Sequence, residues 1–353
     1  MVTLKHIAAN LDLSVMAVSK ALRDAPDIAA ATKEKVRREA DRLGYIPNRT
    51  ARSLRGGTSG LVGLILPALN EPYGCNIMWG LEQETSARDY ELLVSSSQNL
   101  IEHEMRAVTR MFERQVEVLF VFSLTRNQQR SAILDAARRY RTPLVFLDHY
   151  PPDAGQYDNA GWVVVDCVKG GQLAARHLVE LGHREIIYLA GPPTVSAAAE
   201  HLVGFQRGLQ EGGLAYRDSH AFLAGLDIES GKQAMIRVLA EEVPFTAVVC
   251  ASDAVAVGAF EILRRQGYHV PDDVSVVGFG DGILAANLAA PLTTIRHPQV
   301  DLGKTAFNLW YGSKSRGEAL KGKVLPVELI VRASTQSPQH PLARRMKAPA
   351  APA

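Results

Sequence analysis

Apolar runs of strand length recur through most of the chain: LVGLIL at 61–66, VLFVF at 118–122, LVFLD at 144–148, WVVVD at 162–166, IIYLAG at 186–191, AVVCASD at 247–253 and VSVVGFGD at 274–281. The runs are continuous rather than alternating, so each strand is covered on both faces. Between them lie stretches with helical spacing of apolar residues, as in Ile77–Tyr90, Arg130–Tyr140, Lys169–Leu181 and Ala254–Gln266. Strands alternating with helices predict parallel, doubly wound α/β sheets. The units are too many for one lobe, so two lobes are expected with a ligand between them.

The first 47 residues read differently. Leu4 to Asn10 forms a short helix with Ile7, Ala8 and Leu11 inward; Asp12 and Leu13 make a turn. Ser14 is a good N-cap for a helix from Val15 to Leu22, with Val18 and Leu22 at i, i+4. A third helix runs from Ala30 to Leu43 on a Val36, Ala40, Leu43 stripe, and Gly44 stands where a left-handed C-cap is wanted. This is a helix-turn-helix head. Residues 1–55 hold eleven Lys/Arg against six Asp/Glu, a net of +5, on a chain whose total is only +2. A basic head on a faintly acidic body fits a polyanion partner. Charge alone reads equally well as a solvated surface, and three small helices also suit a protein-interaction module.

The stretches VTLKHIAANLDLSVMAVSKAL and ATKEKVRREADRLGYIPNRTARSLR resemble the head of the lactose/galactose-repressor (LacI/GalR) family, and the likeness continues through LVELGHREIIYLAG, CASDAVAVGAF, VPDDVSVVGFGD and PLTTIRHPQVDLGKTAFNL. The resemblance implies a DNA-binding transcriptional regulator, a repressor by family habit. Its second helix would enter the major groove with Val15, Met16 and Lys20 toward base edges, while Thr3, Ser14 and Ser19 contact phosphates or cap. Residues 48–58 would be a hinge helix and linker. There Leu54 wedges into the minor groove, and Asn48, Arg52 and Arg55 fall on the matched hinge, its arginines meeting phosphates. Two turns are too short to be stable alone.

The body, 59–337, would have the two-lobed periplasmic-binding-protein-like fold and supply dimerisation. The chain would cross between lobes near Gly161, near Pro291–Ile295 and near Val324–Leu329. One lobe then takes about 59–161 and 295–324, the other about 162–291 and 329–337. Effector contacts are expected at the strand ends, from Asn70, Tyr73, Ser123, Asp148, Ser252, Asp253 and Asp281, and the resemblance adds His201 and Leu226. An Asp at a strand end is also the ordinary N-cap of the following helix.

Several positions depart from the family pattern. Asp12 stands for the usual turn Gly, and Ala29 for a Ser cap that Asp27 would replace. Gly74 takes the place of a pocket aromatic, His201 the place of an effector-gripping Arg, and Gly280 that of an Asp. The usual carbohydrate effector is thereby weakened, with a sugar or sugar-derived acid still the first expectation. His201 would make effector binding depend on pH near neutrality. A ligand preferring one lobe arrangement would shift operator affinity by roughly 5–150-fold, release being the family habit.

Other classes are disfavoured. Three scattered cysteines, Cys75, Cys167 and Cys250, support neither a disulfide framework nor a zinc site. No cofactor, no metal and no membrane contact is expected; the start of the chain has no apolar export run, and the cytoplasm is the expected compartment. Residues 338–353 are Pro/Ala/Arg-rich and expected to be disordered, without the Leu heptads of a tetramer, so a homodimer on a pseudo-palindromic operator is expected. The rivals are a carbohydrate enzyme using Asp148, His149 and Asp253, or a solute-binding protein. No GxxxxGK[ST], GxSxG or GxGxxG supports the enzyme.

Overall fold

The structure, a computed structural model, describes residues 2–46, 58–70, 72–122, 131–193 and 195–339. The hinge readings at Asn48, Arg52, Leu54 and Arg55, the reading of Ser123, and the tail from residue 340 lie outside these residues.

In the head, α1 (Leu4–Leu11), α2 (Val15–Leu22) and α3 (Ala30–Arg42) enclose a core of Ile7, Ala8, Val18, Ala21, Val36 and Ala40. The tight turn between α1 and α2 depends on Asp12, which sits at φ +53°, a conformation that Asp tolerates. The Ser14 hydroxyl accepts from the Ala17 N–H at 3.0 Å, as a cap should. At the end of α3, Gly44 (φ +64°) closes a Schellman turn: Tyr45 N–H donates to the Ala40 carbonyl and Gly44 N–H to that of Asp41. One expectation fails here. Asp27 does not cap α3, whose N-cap Ala29 has no side-chain bond; its carboxylate pairs instead with Lys20.

The body holds two six-stranded sheets. The first has the order β11-β5-β4-β3-β1-β2 and is parallel throughout. Its strands are β1 (Leu61–Leu66), β2 (Glu91–Ser96), β3 (Leu119–Val121), β4 (Leu144–Leu147), β5 (Ala160–Val165) and β11 (Gly322–Leu325). The second has the order β12-β10-β9-β8-β6-β7, parallel except for the β10–β12 pair. It is built from β6 (Ile186–Ala190), β7 (Ala221–Leu223), β8 (Ala247–Cys250), β9 (Ser275–Gly280), β10 (Thr293–Arg296) and β12 (Glu328–Ile330).

Two expected crossings move. The chain leaves the first sheet at Asp166, not near Gly161, because β5 is hydrogen-bonded on both sides, to β4 and β11. It leaves the second sheet at His297–Pro298, not near Pro291–Ile295, because β10 pairs with β9 through Arg296. The third crossing falls between Leu325 and Glu328. Pro298, at φ −78° and ψ 66°, makes an inverse γ-turn that joins the His297 carbonyl to the Gln299 N–H at 2.8 Å.

The buried core is continuous from one lobe to the other, running from Phe120, Phe307 and Trp310 to Tyr188, Phe205 and Phe279. Helices pack closely where glycines face each other. The Cys167–Glu180 helix meets the Ser196–Glu211 helix at Gly171 and Gly204, and a Cβ on Gly171 would fall 2.0 Å from the His201 carbonyl oxygen. That contact sets how far His201 reaches over the strand ends. We expect Gly171→Ala to cost about 3 kcal/mol, as overpacking of a tight core does, read as a lower midpoint in urea unfolding. An unchanged midpoint would mean that the two helices slide apart freely.

Candidate functional site

Between the two sheets a chain of rings runs from one lobe to the other. Tyr188, on β6 of the second lobe, places its hydroxyl 2.8 Å from His201 Nδ1. The His201 ring lies edge-on to Phe279 at 4.0 Å, and Phe279 meets His297 at 4.6 Å. His297 Nδ1 is 3.2 Å from the Tyr73 hydroxyl, which donates to Asp148 at the end of β4. Phe122 and His149 close the first-lobe end. Asp148 itself has φ +67°, and a Leu147 carbonyl to His149 N–H bond spans it in a tight turn. A non-glycine residue held in that conformation marks a place where strain is tolerated for position.

Burial governs the charges. His201 is lowered to about 3 by desolvation and then by His297. His297 is lowered to about 4 by desolvation, against the pull of Asp148. Burial alone would raise the Asp148 carboxyl, but pairing with His149, His297 and Tyr73 keeps it below its ordinary value. Tyr73 rises well above 10 through burial and the nearby carboxylate. Glu200, nearer the mouth, is raised by burial and by Asp148 and Asp166.

These states assign the protons. The Tyr73 hydroxyl donates to Asp148, so its oxygen accepts from His297 Nδ1–H, leaving His297 Nε2 a bare acceptor. Tyr188 and His201 are both neutral, and the Tyr188 hydroxyl and His201 Nδ1 share one hydrogen bond whose donor depends on the His201 tautomer. Neither Nε2 has a partner among the described residues, and both are buried. A hydroxyl, which both donates and accepts, can satisfy either nitrogen.

The remaining candidates do not join this chain. Asp253 is occupied locally: it accepts from the Thr294 hydroxyl at 2.6 Å and from the Gly282 N–H at 2.8 Å, fixing the loop after β9. Asp281 is held by Arg296 at 2.7 Å and Arg332 at 2.5 Å. Ser252 caps its helix by accepting from the Val255 N–H and donates to the Leu226 carbonyl. Leu226 is exposed, its side chain against the position of Gly191, and Asn70 is exposed beyond β1. Sequence reasoning missed His297 and Phe279. The only signal for His297 was its place beside a proline at a lobe crossing.

On the head, Val15 and Met16 stand out from α2 with 38% and 69% of their surface exposed. Two neighbouring apolar side chains are thus left in solvent at the start of α2. Lys20 is turned to Asp27, and Ser19 and Ser14 lie on the same helix, with Thr3 at the start of α1.

Residues 3–48 match the family profile of bacterial regulatory proteins, lacI family, and residues 175–335 that of a periplasmic binding protein-like domain. The HTH-type transcriptional regulator CelR of Thermobifida fusca is 30% identical over 339 residues, 94% of this chain and 98% of that one. The chain belongs to the lacI family. Among other lacI-family relatives, the ribose operon repressor of Haemophilus influenzae is 29% identical over 338 residues, 96% and 99% of the two chains. The lac repressor dimer bound to operator and the anti-inducer ONPF matches with TM-score 0.83 at 28% identity, over 95% of this chain and 99% of that one. This lacI-family protein is accordingly a DNA-binding transcriptional regulator with an effector-binding body. The expectation for His201 needs correction within that frame. Buried and neutral, it does not titrate near neutrality in this arrangement.

The sign of the pH effect follows. Both histidines bind protons more weakly folded than unfolded, so stability is unaffected above about pH 6.5 and falls as pH drops from there toward 4. Each should contribute a loss of about 2 kcal/mol at pH 5 relative to pH 7. Urea unfolding at the two values, wild type against His201→Gln and His297→Gln, checks this: each variant should lose less stability on acidification. Parallel losses in all three would contradict the burial assigned here.

Proposed function

We propose that this regulator binds a two-fold symmetric operator as a homodimer, and that a neutral polyhydroxy effector in the cleft, most simply a sugar, releases it. The observation that carries the effector reading is the pair of buried, neutral imidazole nitrogens at His201 and His297 that have no partner among the described residues. A hydroxyl, which both donates and accepts, suits a neutral imidazole nitrogen in either tautomer. Among the described residues, the groups named around the ring chain include acids and histidines but neither Arg nor Lys, so a neutral sugar fits better than a sugar acid. Tyr73 and Asp148 would hold further hydroxyls, and Leu226 and Asn70 would border the mouth. Asp253, Asp281 and Ser252 would act by fixing loops.

For the DNA side, the reading rests on the resemblance of residues 48–58 to a hinge helix and on the exposed Val15 and Met16. The apolar pair would meet thymine methyls, and Lys20 would exchange its Asp27 partner for a phosphate. Leu54 would wedge between base steps. Turnover is not part of the proposal: Asp253, needed by the acid/base set that a rival enzyme would use, is taken up by Thr294 and Gly282. Among the described residues no helix is long and apolar enough to cross a membrane, and we place the protein in the cytoplasm, where its DNA is.

Selection from random duplexes by the full-length protein tests this. The expected product is a pseudo-palindrome, bound at least about ten-fold more weakly and bent less by Leu54→Ala. No enriched sequence, or equal binding and bending by that variant, would refute the DNA reading.

A further inference from the structure

Gly60, at the start of the body, is held by two hydrogen bonds. Its N–H donates to Glu117 Oε1 at 2.7 Å, and its carbonyl accepts from the Glu91 N–H at 2.8 Å. Its φ of +68° keeps the chain in a bend that a side chain would resist. The other oxygen of Glu117 is bound by Lys314, whose ammonium also donates to the Tyr90 hydroxyl at 3.1 Å and lies over the Trp310 ring at 5.1 Å. Glu117 therefore serves two partners at once, the root of the linker and the end of one helix.

That helix is Gln299–Arg316, and its other end stands in the cleft. Gln299 is buried; it accepts from Asn76 at 2.7 Å and donates to the Gly280 carbonyl of the second lobe at 3.1 Å. Two residues earlier is His297, already bonded to Tyr73. The helix spans about 27 Å at 1.5 Å per residue. Its first turns are clamped to the Pro72–Ser86 helix, because Gly80 faces the Val300 carbonyl and Gly303 faces that of Ile77 at distances that leave no room for a Cβ, and further along Asn308 accepts from Arg88, just beyond that helix, at 3.0 Å. A helix so backed moves as a rod.

We infer that Glu117 and Lys314 are positioning residues that pass movement at the cleft end of the Gln299–Arg316 helix to Gly60, and so to the chain leading to the DNA-binding head. A second lobe that turns relative to the first pulls on Gln299 through Gly280. The displacement reaches Lys314, and the carboxylate it grips is the one that holds the amide of Gly60. This rests on the regulator reading for its purpose, but the mechanical link can be measured without DNA.

The test is hydrogen exchange at the Gly60 amide in the full-length chain, together with a double-mutant cycle. Gln299→Ala removes the bonds at the cleft end of the helix, about 22 Å along it from Lys314. If the rod transmits, this substitution speeds exchange at Gly60 by about three-fold or more, and the increase disappears when Lys314→Met has already cut the clasp. Glu117→Gln, which keeps an oxygen for the Gly60 N–H, guards against loss of folding and should reduce the Gln299→Ala effect in the same way. Effects that simply multiply, as expected of independent sites this far apart, would overturn the inference. Affinity for a selected operator supplies the second readout: the pair Gln299→Ala and Lys314→Met should depart from the product of the single effects. If the wild type selects no DNA at all, the regulator reading fails, while the exchange data still judge the clasp.

Discussion

The body depends on keeping two imidazoles neutral inside the contact between its lobes. Phe279 packs between His201 and His297, and desolvation holds those rings at about 3 and 4. Neutral rings bring no positive charge of their own into that contact, where an unpaired ion would be costly to bury. An arginine in place of His201, as the family resemblance would have it, would bring a permanent cation to the same spot. The cleft then needs an anionic or strongly polar partner before it can close. With histidine the buried groups there are neutral, in keeping with the neutral effector proposed above.

Topology places this contact. Both sheets are parallel over most of their strands, so their carboxyl ends carry the loops, and the three crossings tie those ends together. His297 stands at one crossing, Asp166 at another. A residue at a crossing belongs to both lobes at once. There His297 reaches Tyr73 of one lobe and Phe279 of the other, whereas Asp253 and Asp281 are held by groups of their own lobe. The same crossing begins the Gln299–Arg316 helix, so the site and the rod toward Gly60 share an origin.

Much of the fold was legible because buried parallel strands are continuous apolar runs, as in Leu61–Leu66 and Ser275–Gly280. The strands that escaped notice are marginal or short. Glu91–Ser96 lies at the edge of its sheet and is only half-buried, and Gly322–Leu325 exposes three of its four residues. Crossings were misplaced because nothing local distinguishes β5 or β10 from strands of the other lobe; their hydrogen-bond partners, Lys323 and Gly278 among them, are distant in sequence. The site was half legible. Tyr73, Asp148 and His201 came from resemblance and do converge. Asp253 and Asp281 have the right residue type in the right place, yet Thr294 and Arg332 claim them, and a pattern cannot show which partner wins. Asp27 was read as a cap for the same reason, and Lys20 took it.

The central claim is that occupancy of the cleft and occupancy of DNA are linked through one equilibrium between lobe arrangements. The most direct measurement titrates a panel of neutral sugars, sugar acids and amines against the full-length protein, first by thermal stabilisation and then by operator affinity. The account predicts that a neutral sugar stabilises the body, that Asp148→Asn abolishes this, and that the same sugar weakens operator binding by roughly 5–150-fold. A compound that binds through Asp148 at saturation and leaves operator affinity untouched would contradict it.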